Sequence, residues 1–543
     1  MTHLRSTVGG SFCSCGACNS SPALSRRQFL CTTAATAVAA ATVVGTASAQ
    51  QPGATAPGRA ILIKGGCVLT LDRTIGDFEQ ADVLIEGGKI SAVRPNISAP
   101  NADVIDASRM IVAPGFVDTH RHMWQGILRN VLPDGSLDDY IATVQKTFGA
   151  KYVPDDVYAG DYFSALGAID SGVTCILDWS HIHNTPEHTD AAVKALGDSG
   201  VRAVFAYGNA QTVDGRWWEA KGSKFPSDIA RLRKQYFSSD DQLVTLYLAA
   251  PSGSPEQILP TFKAARDVGA RITIHVGVGE RGRTGLLEKL NAEKALAADT
   301  TYIHCCTLND AEWKLIKDTG GTISIAGYVE TLMGHGNPPI QKAIDTGIRP
   351  SLSVDVETSV PNDFFQQMRT IFSLQKNEVW ARRLAGDKDP PKFLTVREVL
   401  EFATIEGARA NGLERKIGTL TPGKDADIIL LRTDRLNVMP MNNAVGAVVT
   451  SMGPQNVDTV LIAGKVMKRN GQLVGVDFGR LVRLGDEARD RLYSNANVKN
   501  VRLCIRLLSR TSSPTSLSAS VVLDLKFRCA FAARSLRTSN PSY

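Results

Sequence analysis

Two histidines one residue apart, His120 and His122, close the run Pro114-Gly115-Phe116-Val117-Asp118-Thr119-His120-Arg121-His122. Its apolar start reads as a buried strand. Strand side chains alternate faces with a period of two, so both imidazoles point the same way. At ~3.3 Å rise per residue their Cα atoms stand roughly 6.6 Å apart, close enough for the rings to share a metal ion. Alone, an H-x-H pair is a weak signal, but other strand ends add to it. Thr273-Ile274-His275-Val276 sets His275 opposite Ile274, and Tyr302-Ile303-His304-Cys305 does the same for His304. In the stretch ending at Asp355, Ser351, Ser353 and Asp355 share one face while Leu352, Val354 and Val356 share the other. A polar line running up a buried strand is costly and would be odd in a purely structural one. An open-sided set of imidazoles and a carboxylate suits a metal ion that lowers the pKa of bound water toward ~7, making hydroxide available at neutral pH.

Those residues need a frame that brings distant strand ends to one place. Eight candidate strands lie near 116–120, 173–178, 201–206, 243–249, 271–276, 301–304, 322–325 and 349–355, separated by helix-length stretches. Repeated βα units of this number predict an α/β fold, a (β/α)8 TIM barrel whose chemistry sits at the C-terminal ends of the strands. On either side of it, short strand-like runs such as Ile61-Leu62-Ile63-Lys64, Asp82-Val83-Leu84-Ile85, Ala426-Asp427-Ile428-Ile429-Leu430-Leu431 and Val457-Asp458-Thr459-Val460-Leu461-Ile462 predict one small β-sandwich built from both flanks. The resulting plan is a signal segment at 1–49, sandwich parts at 50–112 and 415–480, the barrel at 113–414, and a C-terminal helix with a basic tail at 481–543.

The composition fits a soluble enzyme: 43% of the 543 residues are apolar and 21% charged. The net charge of +6 is concentrated at the ends, with +3 in residues 1–49 and +7 in residues 498–543, which leaves the body at −4. A slightly acidic body removes the electrostatic case for nucleic-acid binding. The run after Ser25-Arg26-Arg27-Gln28-Phe29-Leu30 is short and weakly apolar for a membrane span and ends in Ala47-Ser48-Ala49, so no membrane insertion is expected. This segment resembles a bacterial twin-arginine signal, which implies export of an already folded, periplasmic protein. Cys13, Cys15 and Cys18 lie within that segment; Cys67, Cys175, Cys305 and Cys306 have no disulfide-like spacing and are expected to pack. Self-association into a homo-oligomer stays open.

Pro114 to His122, His275, His304, Asp355 and the later Pro422-Gly423-Lys424-Asp425-Ala426-Asp427 together resemble the amidohydrolase superfamily, most closely its cytosine-deaminase and triazine-hydrolase branch, across about residues 60–480. The resemblance implies that His120, His122, His275 and Asp355 hold one divalent ion, zinc or iron, and that His304 contacts the attacking water or the substrate. Asp355 would also take the water proton. The fourth strand, Leu243 to Ala249, contains no lysine, so the carbamylated lysine that bridges two metals in other branches has no source and a single ion is expected. The implied reaction is hydrolysis of a non-peptide C–N bond in a small molecule, by deamination of an aminated heterocycle or opening of a cyclic amide. The rival reading is a catalytically silent relative that binds a small molecule.

The pattern departs from that branch in one place that bears on chemistry. Where its deaminases carry a glutamate three residues after the fifth-strand histidine, this chain has Val278. Glu280, Glu330, His335 and Glu357 are the candidates for the missing proton carrier, with the Glu330 to His335 loop preferred because it flanks the barrel mouth. General acid help is worth roughly 10² to 10⁴ in rate, so its source matters. A second H-x-H, His181-Ile182-His183, follows the second strand as a candidate for substrate contact, and Trp124, Trp217 and Trp218 are candidates for stacking on a planar ring.

Overall fold

The computed structural model describes residues 59–499. The Arg26-Arg27 segment, the Cys13, Cys15 and Cys18 cluster and nearly all of the basic tail lie outside the described residues. Eight parallel strands form one sheet in sequential order: Phe116–Arg121, Val173–Ser180, Arg202–Tyr207, Val244–Ala250, Arg271–Val276, Thr300–His304, Thr322–Ile325 and Ser351–Leu352. The second and third are buried along their whole length, the signature of a parallel sheet covered by helices on one face and packed against itself on the other. The helices between them begin as their sequences dictate. Pro154–Asp170 and Pro186–Ser199 each place proline in the first turn, where its missing N–H costs nothing, and Asp310–Thr319 is capped by Asn309.

The eighth strand is shorter than the expected 349–355. Pairing with the seventh ends at Leu352, and beyond it the chain leans onto the first strand instead: the Asp355 N–H donates to the His120 carbonyl at 3.0 Å, and the His122 N–H donates to the Asp355 carbonyl at 2.9 Å. These two bonds close the barrel. They require Asp355 to adopt φ = 70°, a left-handed conformation rare outside glycine. The polar line read from the sequence is satisfied internally, since Thr119, Ser324, Ser351 and Ser353 form a buried hydroxyl cluster with contacts of 2.7–3.0 Å.

Both flanks of the barrel merge into one nine-stranded mixed sheet. The junction is the antiparallel pairing of Met110–Pro114 with Ile428–Arg432, which joins the early strands Ile61–Val68, Phe78–Glu86 and Lys89–Arg94 to the late Val457–Ile462 and Lys465–Arg469. The sheet has its own core, in which Ile63, Val83 and Val112 meet Leu430 and Leu461. The Pro422 to Asp427 turn ties it to the barrel. Arg202 on the third barrel strand, itself buried, donates to Asp425 and Asp427 at 2.9 Å. Among the described residues no helix is long and apolar enough to cross a membrane.

Candidate active site

The first barrel strand ends by presenting His120 and His122 to the barrel mouth, the fifth presents His275, and the closing turn presents Asp355. Asp355 Oδ1 lies 3.1 Å from His120 Nε2 and 3.4 Å from His122 Nε2, and His275 Nε2 lies 3.2 Å from His120 Nε2. Imidazole nitrogens this close are arranged around a shared point. Burial, reinforced by His120, pushes His122 down to about 3, and burial holds His275 well below its ordinary value. Burial also opposes ionisation of Asp355, yet the His120 hydrogen bond and the surrounding imidazoles outweigh it and hold the carboxyl well below the usual carboxylate range. Neutral His122 and His275 beside an ionised Asp355 are in the protonation states a divalent cation takes as ligands. The Trp179 carbonyl, 2.8 Å from His122 Nδ1, fixes that ring with Nε2 facing the centre. The donor set therefore fits a metal ion.

His304 stands beside this group, its Nε2 3.7 Å from Asp355 Oδ2. Like Asp355 it has left-handed backbone, φ = 71°, and Cys305 follows at φ = 58°. Consecutive residues in that region cost of order 1–3 kcal/mol each and persist where the surrounding structure over-determines them, a situation concentrated at functional sites. Behind His304, Glu330 Oε1 sits 3.1 Å from Nδ1 and accepts the Ala326 N–H at 2.8 Å. Burial pushes the Glu330 carboxyl up to about 8.

These groups form the floor of a cavity of about 520 Å³. Tyr140, Gln145, Trp217 and Val278 line its walls, and Arg281 reaches the rim, where it pairs with Asp138 at 2.9 Å. Val278 thus occupies the wall position expected of the missing glutamate. The four proposed replacements are placed differently. His335 lines the cavity, 4.7 Å from the His304 ring centre to centre, and its Nδ1 is buried without a hydrogen-bond partner. Glu330 stands behind His304 and reaches the cavity only through it. Glu280 does not enter: its carboxylate is 92% exposed and lies 3.8 Å from Arg283. The turn that carries it is tied down by the Gly279 N–H to the His335 carbonyl at 2.7 Å and by Thr307 to Gly277 and Gly279, which aims Glu280 at solvent. Glu357 is buried but committed elsewhere, to Arg121, Arg129 and Ser164.

The second H-x-H divides. His181 lines the cavity with its ring 4.2 Å from that of His122, held by the Trp124 indole N–H at 3.2 Å, while His183 packs against Tyr207 and contacts Thr189 at 3.0 Å. Trp124 is accordingly a buried support. Trp217 lines the cavity, and Trp218 is half exposed. Trp179 went unrecognised as a site residue. It lines the cavity with its ring 4.4 Å from His275, and only its place at the end of the second strand could have signalled it.

Known proteins resemble this chain along most of its length. The 5'-deoxyadenosine deaminase of Methanosarcina mazei is 27% identical over 449 residues, 80% of this chain and 99% of that protein. The 5-methylthioadenosine/S-adenosylhomocysteine deaminase of Pyrococcus abyssi is 27% identical over 78% of this chain and 97% of its own. Among solved structures, a zinc-bound adenosine deaminase from Xanthomonas campestris superposes with a TM-score of 0.68 at 21% identity, covering 80% of this chain and 98% of that one. Atrazine chlorohydrolase from Arthrobacter aurescens, complexed with zinc, does so with 0.68 at 23%, covering 79% and 100%. Residues 111–467, from the strand that leads into the barrel to the late sandwich strands, match the amidohydrolase family, and the chain is a hydrolase belonging to that family.

Proposed function

We propose that the protein hydrolyses a non-peptide C–N bond in a small molecule, most simply the exocyclic amine of an aminated heterocycle, with a single divalent ion, zinc or iron, held by His120, His122, His275 and Asp355. The observation that carries this reading is the meeting of His120 and His122 on Asp355 Oδ1, with His275 Nε2 3.2 Å from His120 Nε2 and His304 Nε2 3.7 Å from the other oxygen of the same carboxylate, at the floor of a cavity. The relatives named as deaminases of purine nucleosides support it, and so does the zinc in the two solved structures.

A bound ion would supply water acidified toward ~7 and a positive charge for the oxyanion. The chain's own residues do the rest. Asp355, ionised and buried, is positioned to take the water proton. His304, oriented by Glu330 on Nδ1, keeps Nε2 free on the substrate side, where it can stabilise the oxyanion and pass a proton to the leaving nitrogen. Val278 gives that wall no acid, so the Glu330–His304 pair stands in the chemical place of the absent glutamate. Trp179 and Trp217 offer ring faces to a planar substrate, and Gln145 an amide. Arg26 and Arg27 support a periplasmic destination by the twin-arginine route.

The test is turnover. Metal-loaded protein is offered aminated purines and pyrimidines, triazines and cyclic amides while ammonia and acid release are followed, alongside His122→Ala. Ammonia release by the parent protein and its loss in the variant are expected. Binding without turnover of every class would refute the reading.

A further inference from the structure

Asp355 turns its two oxygens toward two different sets of imidazoles. Oδ1 faces His120 and His122, while Oδ2 faces His304 Nε2. The second set has another member. One ring nitrogen of His335 lies within 4.8 Å of the donor atoms of both His304 and Asp355, in the same range as the His120, His122 and Asp355 group. We propose that His304, His335 and Asp355 Oδ2 form a second cation site, weaker than the first, for a divalent ion that accepts nitrogen ligands, with Asp355 bridging the two ions.

Three features of the second set are those of a metal site. His335 is 3% exposed and lines the cavity, and its buried Nδ1 has no hydrogen-bond partner to satisfy it. His304 has Glu330 behind its other nitrogen at 3.1 Å, the arrangement that orients a ligating histidine. The loop that delivers His335 is also built for one position. Gly334 and Gly336 flank it at φ = 78° and φ = 130°, and a Cβ on Gly336 would stand 2.8 Å from that of Cys306. The His335 backbone is pinned on both sides, its N–H to the Glu330 carbonyl at 3.1 Å and its carbonyl by the Gly279 N–H at 2.7 Å.

Two imidazoles and one carboxylate oxygen leave a fourth position for water, a set that suits zinc or cobalt and does not suit calcium or magnesium. The site rests on the reading that Oδ1 belongs to the first ion. It also shares His304 with the proposed proton transfer, so an ion bound there withdraws the imidazole from the reaction. Excess metal is then an inhibitor, and the second site makes activity sensitive to the free metal level.

The experiment is equilibrium dialysis of chelator-stripped, full-length protein against buffered Co²⁺, with bound metal measured by elemental analysis and the cobalt signal followed by electron paramagnetic resonance. The parent protein is expected to bind one ion tightly and a second at higher free Co²⁺, with spin coupling when both are present. His335→Ala, or His335→Asn should the first variant fail to give a folded circular dichroism spectrum, is expected to stop at one ion of unchanged affinity. Glu330→Gln is expected to weaken only the second ion, by roughly 10 to 100-fold. Saturation of the parent protein at one ion, or retention of two by the His335 variants, would overturn the second site. Retention of the tight ion by His122→Ala would instead overturn the assignment of the first.

Discussion

Asp161 and Asp178 make an unusual pair to find inside a barrel. Both are fully buried, both oxygens of Asp161 and Oδ2 of Asp178 lack a partner, and Asp178 Oδ1 accepts only the Met123 N–H among backbone groups, at 3.2 Å. Burial pushes Asp178 up to about 7, and burial together with Asp178 raises Asp161 well above the carboxylate range. The unfolded chain releases the Asp178 proton near ~3.9, so between roughly pH 4 and 7 the folded state holds a proton that the unfolded state has lost. Stability from this source is therefore present below about pH 4 and falls as pH rises through about 7. Three units at 1.36 kcal/mol each set the loss at about 4 kcal/mol. Asp161→Asn removes the carboxyl raised by both burial and Asp178, and with it that group's own loss of stability with rising pH, while Asp178 stays raised by burial. Thermal unfolding followed by calorimetry from pH 5 to 8 should show the variant gaining stability relative to the parent protein as pH rises. A difference that stays constant with pH, or one in which the parent protein gains as pH rises, would refute the argument.

Two further outcomes follow from groups described above. Arg202→Ala strips the buried partner from Asp425 and Asp427 and should destabilise the protein by about 3–5 kcal/mol, read as a drop in denaturation midpoint; a near-neutral result would mean that water reaches those carboxylates. Glu330→Gln, once a substrate is found, should lower kcat and kcat/KM together by roughly 10² or more with the tightly bound metal retained, because it disturbs the orientation of His304 and not the first cation site; a change confined to KM would place Glu330 in substrate binding.

The barrel was legible because its strands are short apolar runs whose ends carry chemistry. Period-two alternation put His120 with His122, and Ser351 with Asp355, without knowledge of the third dimension. What it could not give was anything decided by turns. In Gly277-Val278-Gly279-Glu280 the sequence leaves the direction of Glu280 open, whereas both glycines adopt positive φ and are hydrogen-bonded to Thr307 and His335, and the same bonds face Glu280 outward. Glu357 looked like Glu330 in the sequence, a lone acid near a strand end. Only the fold shows that one is claimed by Arg121 and Arg129 and the other by His304. The support His122 receives from the Trp179 carbonyl was invisible for a simpler reason, since a backbone oxygen carries no sequence signal at all.

The barrel's seam falls between strands one and eight, and the proposed cation ligands straddle it: His120 on one lip and Asp355 on the other, 235 residues apart along the chain. An ion gripping both lips acts as a latch on a ring. Joining two points so distant in an unfolded chain removes loop entropy worth on the order of 5 kcal/mol at 25 °C, the scale of a long-range disulfide. The grip would exist only after all eight βα units have been wound, so an ion held there would be the last part fitted and would report that the circle has been completed. A chain that crosses a membrane already folded would carry its latch with it, and a chain whose first strand had slipped in register would have nothing to latch.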